Sequence, residues 1–120
     1  MNASKLKLQK KNMKQEQPQI TQEQARKFLS NVRPENSFWI NNGPIINNLK
    51  HLPKAVEEID EITFMHHVNI EKNDFSNWIE ECIGDMKLAG ELRKTRTKDD
   101  FLKRLKNRVN FLKKIVYAEA

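Results

Sequence analysis

The chain has little of the residues that build disulfide-rich, turn-rich or membrane-spanning proteins. Among its 120 residues are 1 Cys, 3 Gly and 4 Pro. The single thiol, Cys82, cannot form an intramolecular disulfide, and a reducing cytoplasm is the simplest compartment for it. So few Gly and Pro disfavour an all-β fold with many turns. No apolar run approaches the ~18 residues that span a bilayer, so we expect no membrane partner.

Charge is distributed unevenly along the sequence. Residues 1–36 carry 8 Lys/Arg and 3 Asp/Glu, residues 37–92 carry 4 and 10, and residues 93–120 carry 10 and 3. Basic ends of this kind attract polyanions or acidic partners. The acidic middle either forms a solvated face or pairs with the chain's own basic C-terminal segment.

Composition and apolar spacing predict three parts. Residues 1–20 are too rich in Lys, Gln and Asn to bury a core, so we expect a disordered basic arm, either a solubilising tail or a segment that binds an anionic surface. Residues 21–96 read as a compact helical module, and residues 97–120 as a long amphipathic basic helix packed on it. The predicted fold is mainly α, a small bundle of about five to six helices with one short β-hairpin.

Local signals place the predicted elements of the module. Thr21 and Gln24 form a capping-box pattern before a helix of about residues 22–32. Apolar residues on both sides of Asn41-Asn42-Gly43 predict a short hairpin. Further helices are expected to begin at Asn47 or Asn48, Asp60, Asn73 or Asp74, and Asp85, with Gly84 ending the third of these. Their apolar sets are Leu49, Leu52, Val56 and Ile59; Ile62, Phe64, Met65 and Val68; Phe75, Trp78, Ile79 and Cys82; and Met86, Leu88, Ala89 and Leu92.

The longest predicted helix runs from Thr97 to about Tyr117. Asp99 and Asp100 lie in its first turn, where the helix dipole favours carboxylates. Its apolar stripe is Phe101, Leu105, Val109, Leu112 and Val116. Its opposite side carries Lys103, Asn107, Asn110 and Lys114, flanked by Lys106 and Lys113.

A leucine-containing segment, Asn48-Leu49-Lys50-His51-Leu52, and three short motifs that follow it before Leu92 resemble a known family. The three motifs are Phe64-Met65-His66-His67-Val68, Asn73-Asp74-Phe75-Ser76-Asn77-Trp78, and Gly84-Asp85 followed by Leu88-Ala89. The combination is similar to the uncharacterised archaeal and bacterial domain of unknown function numbered 5752, although Pro53 and Cys82 depart from its pattern. The resemblance covers about 45 residues. It implies a compact helical module, alone or attached to other domains, and carries over no activity. Its motif residues are His67, Asp74, Phe75, Trp78, Gly84 and Asp85.

The histidines and the cysteine do not have the spacing of a metal site. His66 and His67 are adjacent, so on a helix they point about 100° apart. Neither His-x₃-His nor Cys-x₂-Cys occurs, and we predict no metal and no cofactor. His67 and Asp74 could form an oriented base, but no activated nucleophile accompanies them. The preferred interpretation is structural and non-enzymatic: Asp74 caps its helix, and a histidine donates to that helix or to the loop 69–73.

Four aromatic residues are candidates either for the core or for a ligand platform. We expect Phe64, Phe75 and Trp78 to be core residues. Trp39, beside the Asn-rich turn, is the better candidate for an exposed aromatic. Base stacking at Trp39 lacks support, because no Lys or Arg is nearby in the sequence.

The dense cations of the C-terminal segment carry the functional prediction. We expect a binding module that contacts the phosphate backbone of DNA or structured RNA without reading its sequence. The alternative is a protein–protein adaptor or homodimer that uses the apolar stripe of the last helix, with an acidic protein as another possible partner. Predicted contact residues are Lys103, Arg104, Lys106, Arg108, Lys113 and Lys114, with Lys10, Lys11 and Lys14 of the arm.

Overall fold

The structure is a computed structural model that describes residues 20–118. The predicted arm therefore lies outside the described residues, except for Ile20. In chain order the elements are α1 (Gln22–Phe28), a 3₁₀ turn (Pro34–Asn36), β1 (Phe38–Trp39), β2 (Ile45–Ile46), a 3₁₀ turn (Leu49–His51), α2 (Leu52–Glu58), α3 (Glu61–His67), α4 (Asp74–Trp78), a π-helical turn (Ile79–Ile83), α5 (Met86–Arg93) and α6 (Lys98–Tyr117). The predicted fold class, mainly helical with one short hairpin and a long C-terminal helix, is confirmed.

Helix α1 begins as predicted and ends four residues early. The Thr21 side chain accepts from the Gln24 amide, and the Gln24 side chain accepts from the Thr21 amide, which completes the capping box. At the other end the Ser30 hydroxyl donates to the Lys27 carbonyl. The Val32 amide donates to the Asn47 carbonyl instead of continuing the helix. The predicted end at residue 32 was wrong because this long-range backbone bond competes with the helical one.

The hairpin forms where the sequence predicted it. Phe38 pairs with Ile46 and Trp39 with Ile45, so one side of the ribbon faces the core and the other faces solvent. The left-handed position of the turn is Asn42, with φ of 57°, a conformation that asparagine tolerates. Gly43 is needed for a different reason, because a Cβ there would lie 2.8 Å from Ile40 Cγ2.

Helices α2 and α3 differ from expectation in how they start and what they bury. Asn48 caps a 3₁₀ turn, and α2 follows it only at Leu52. Asp60 caps α3 as predicted. However, α3 buries Phe64 and His67, while Ile62 is 82% exposed and Met65 is also exposed. The predicted apolar set of α3 was therefore wrong at these two positions.

The chain from α4 to α5 contains both a confirmation and a correction. Asn73, and not Asp74, caps α4, because its side chain accepts from the Ser76 amide. The helix then widens into the π-helical turn, which ends at Gly84 in the left-handed conformation, with φ of 93°. Asp85 caps α5 by accepting from the Leu88 amide. Met86, predicted as an apolar core position, is exposed.

Helix α6 forms one wall of the hydrophobic core. It packs against α1, α2 and α5 and buries Phe101, Leu105 and Leu112 completely. Around Phe101 the core is aromatic. The Phe75 ring stacks on Phe38 with centroids 4.8 Å apart, and the Phe64 ring meets Phe101 edge to face at 5.2 Å. Such pairs each contribute about 0.5–1.5 kcal/mol beyond the area they bury.

Candidate nucleic-acid interface

The outward face of α6 is built by a well-defined helix start and a buried apolar side. Thr97 caps the helix by accepting from the Asp100 amide. The amine of Lys98 donates to the carbonyls of Glu57 and Ile59, which ties this end of α6 to α2. With the apolar stripe fixed inward, the polar residues between its turns point to solvent.

Arg108 does not belong to this outward face. Its guanidinium donates to both carboxylate oxygens of Asp85, from Nε to Oδ2 at 2.7 Å and from an Nη to Oδ1 at 2.9 Å. Both residues are buried: Arg108 is 8% exposed and Asp85 is 1% exposed. The prediction that Arg108 contacts phosphate was therefore wrong. The Asp85 carboxylate neutralises the charge of Arg108, and this ion pair joins α6 to the start of α5.

Two other predicted contact residues lie at the surface but already have carboxylate partners. Arg104 binds Asp100 one turn earlier on α6, with 3.2 Å between Nε and Oδ1. Lys106 lies 3.6 Å from a carboxylate oxygen of Glu57 on α2. The acidic middle thus pairs in part with the C-terminal helix, which was one of the two possibilities left open by the sequence. Exposed pairs of this kind are worth about 0–1 kcal/mol, so a phosphate could displace either carboxylate.

The remaining three predicted helix residues, Lys103, Lys113 and Lys114, are exposed. We call them the outer lysines. Among residues 20–118, none of the three has a carboxylate within ion-pair distance. At the usual rise of α-helix, Lys103 and Lys114 stand about 16 Å apart along the axis. The exposed amides of Asn107 and Asn110 lie between them. The result is a surface of cations and hydrogen-bonding groups along one helix.

The start of the described chain lies at the C-terminal end of α6. The Gln22 side-chain amide donates to the carbonyl of Val116 at 3.1 Å and to that of Ile115 at 3.4 Å. These bonds satisfy carbonyls that a helix end leaves without partners. The predicted arm residues Lys10, Lys11 and Lys14 lie outside the described residues.

Most of the apolar stripe of α6 is used inside the molecule. Phe101, Leu105, Val109 and Leu112 are buried, and Val116 is half-buried. Of the additional apolar positions on this helix, Leu102 and Ile115 are half-buried, while Phe111 and Tyr117 are exposed. A partner protein could therefore reach little of the stripe.

The His67–Asp74 contact predicted from the sequence is present and is part of the scaffold. His67 Nδ1 lies 3.0 Å from Asp74 Oδ2, and His67 Nε2 accepts from the Asn41 amide at 3.0 Å. The ring therefore links α3 to α4 and to the hairpin turn. Partial burial acts to raise the pKa of Asp74, but hydrogen bonds from Lys72 and His67 outweigh it and hold that pKa below its ordinary value.

The other motif residues also build the core. Phe75 and Trp78 are buried, and the Trp78 indole N–H donates to the Asn36 carbonyl at 2.7 Å. Phe64 is buried too, and Trp39 is 70% exposed, so both predictions about the aromatics are confirmed.

Cys82 lies in the π-helical turn and is only half-buried. That partial burial, aided by Glu81, raises the pKa of its thiol. Within residues 20–118, no three side chains of His, Cys, Asp or Glu converge as metal ligands. Over the same range, no helix is both long and apolar enough to cross a membrane.

The sequence did not predict a surface cleft of about 430 Å³ between α5 and α6. Phe111, Lys103, Arg104 and Asn107 contribute to its lining. Phe111 is an apolar residue of α6 that is not part of the predicted stripe. Its position four residues after Asn107, outside the Phe101–Leu105–Leu112 stripe, could have indicated that it faces outward.

Comparisons of the chain with protein-family models, curated proteins and solved structures give no significant match. The resemblance to the domain of unknown function numbered 5752 therefore stays a prediction, and function has to be argued from the geometry alone.

Proposed function

We propose that this protein is a non-enzymatic, cytoplasmic module that binds the phosphate backbone of nucleic acid through the outer lysines of α6. Lys10, Lys11 and Lys14 of the arm add affinity. Because such contacts are made to phosphates and not to base edges, binding is strong at low salt and largely independent of sequence.

The observation that carries the proposal is the division of α6 into two sides. Its apolar side is covered by α1, α2 and α5. On its other side, the outer lysines have no carboxylate partner among the described residues. An exposed lysine loses little free energy when a phosphate replaces the water around its amine. Each phosphate that is neutralised in this way releases a counterion.

The adaptor or homodimer alternative is favoured less. It depends on an apolar stripe of which Phe101, Leu105 and Leu112 are fully buried. Light scattering after size exclusion separates the alternatives. We expect the monomer mass of 14.2 kDa. A mass about twice that, lost when Phe111 and Tyr117 are changed to Ser, would favour the dimer.

Retention on heparin tests the proposal itself. The test variant changes the outer lysines to Ser. The matched control, Lys27→Ser/Arg33→Ser/Lys94→Ser, removes the same number of positive charges from exposed positions outside α6. We expect the test variant to elute at clearly lower salt than both the wild type and the control. Co-elution of the two variants would show that only net charge matters and would reject α6 as the binding surface.

A further inference from the structure

Phe111 stands among the cationic groups of α6 with its side chain 46% exposed. Asn107 and Lys114 lie one turn to either side of it, on the same side of the helix. An exposed aromatic ring with cations around it offers a face on which a planar group can stack. The cleft in front of it has room for a planar group, with a volume of about 430 Å³.

The ring is held in place by the buried ion pair beneath it. The Arg108 guanidinium carbon lies 5.4 Å from the centroid of the Phe111 ring, within the range of a cation–π interaction. Arg108 is itself fixed by its two hydrogen bonds to Asp85. An aromatic surface that is already ordered loses little entropy when a ligand stacks on it.

The charges around the cleft favour an anionic ligand. Lys87 and Arg104 are paired with Glu91 and Asp100. Lys103 adds a charge that no described carboxylate balances. The cleft therefore combines an aromatic ring, an amide and an excess cation. That is the set of groups that bind a base together with its phosphate.

We propose that Phe111 is a stacking platform for an unpaired base, and that the nucleic acid bound by α6 is single-stranded. This inference rests on the function proposed above. In a duplex the bases are covered by their neighbours, so Phe111 would have nothing to stack on and only the lysines would contribute. In a single strand, one base can lie against Phe111 while phosphates further along the strand in both directions meet Lys103 and Lys114.

The test compares single strands with a duplex of equal length by fluorescence anisotropy. The probes are labelled oligo-dT and oligo-U of about twelve nucleotides, the size that a small single-strand site covers, and a labelled DNA duplex of about twelve base pairs. Electrostatics alone favours the duplex, because its phosphates are more densely spaced. We expect both single strands to bind at least about 5-fold more tightly than the duplex, which requires a contribution from the bases.

Substitution at Phe111 separates stacking from charge. We expect Phe111→Ala to weaken single-strand binding by about 5- to 100-fold and duplex binding by less than about 2-fold. Phe111→Trp should preserve or strengthen it. The matched control is Trp39→Ala, which removes an exposed aromatic that lies on the hairpin and not on α6. It should leave all three affinities unchanged, and thermal unfolding verifies that each variant is folded.

The possible results distinguish this inference from the proposed function. The stacking role is overturned if the duplex binds as tightly as the single strands or more tightly. It is also overturned if Phe111→Ala weakens binding of all probes equally. In both cases the outer lysines keep their role in binding phosphate. Loss of both oligo-U and oligo-dT binding in Phe111→Ala, with duplex binding kept, supports stacking whichever of the two single strands binds more tightly. Absence of salt-sensitive binding to every probe overturns both.

Discussion

Arg108 on α6 donates to both carboxylate oxygens of Asp85, the same residue whose side chain caps α5. One buried carboxylate thus fixes the start of one helix and the middle of another. Removing one member of such a pair leaves a buried charge without compensation, which costs more than the pair itself contributes.

We therefore expect Arg108→Leu to lower the free energy of unfolding by about 3–5 kcal/mol. The control is Arg104→Leu, which removes an exposed pair on the same helix and should cost about 0–1 kcal/mol. Urea denaturation monitored by tryptophan fluorescence measures both. Similar small losses in the two variants would show that the Asp85 carboxylate does not need its partner.

Changing Gly84 and Gly90 to alanine should shift the stability of the protein in opposite directions. Gly84 has φ of 93°, and a Cβ there would meet only Phe28 at 3.8 Å, so the cost of Gly84→Ala is one of backbone strain, about 1–2 kcal/mol. Gly90 lies inside α5, and a Cβ there has nothing within 4 Å. Gly90→Ala should stabilise by about 0.5–1 kcal/mol. Thermal melts show whether each variant has a lower or a higher melting temperature than the wild type. A shift of the melting temperature in the same direction for both would contradict the assigned backbone geometry.

The stability contributed by Asp74 should disappear in acid. A carboxyl whose pKa is lowered by folding stabilises the protein above its unfolded pKa, and that contribution is lost as the pH falls through its folded pKa. Since the ordinary pKa value is 3.8, the gap in unfolding free energy between wild type and Asp74→Asn should be complete at neutral pH and shrink below that value. Urea titrations at a series of pH values measure the gap. A gap that stays constant or widens in acid would contradict the bonds from Lys72 and His67.

The tautomer of His67 follows from its two partners. The Asn41 amide can only donate, so Nε2 must accept and Nδ1 carries the proton that is given to Asp74. Long-range ¹H–¹⁵N NMR spectra at neutral pH should therefore find the neutral ring protonated at Nδ1, the less common form. The exposed His66 provides a comparison in the same spectra. A proton on Nε2 of His67 would mean that the hairpin turn is not held by this ring.

Local signals in the sequence predicted most of the helix starts. Thr21, Asp60 and Thr97 each cap a helix, and Gly84 ends one, because a cap depends on residues only three or four positions apart. The limits of α1 were harder to predict, since the chain leaves that helix to bond with Asn47, a residue distant in sequence.

The candidate interface was less predictable than the fold. Arg108 lies three residues after Leu105 and four before Leu112, so periodicity alone places it at the edge of the apolar stripe. Its burial depends on Asp85, which is 23 residues away and indistinguishable in sequence from the other acidic residues of the middle segment. Helix α3 has only seven residues, so its sequence is compatible with more than one buried face. The contact between His67 and the hairpin turn determines that the face containing His67 is the buried one.

The most direct test of the account is the salt dependence of binding. In a plot of log K against log salt for a labelled DNA duplex, each lost phosphate contact lowers the slope by about 0.9. Changing the outer lysines to Ser should therefore reduce the magnitude of the slope by roughly 2 to 3. The control variant Lys27→Ser/Arg33→Ser/Lys94→Ser should have the same slope as the wild type. Parallel lines for all three proteins would contradict the claim that α6 carries the contacts to phosphate.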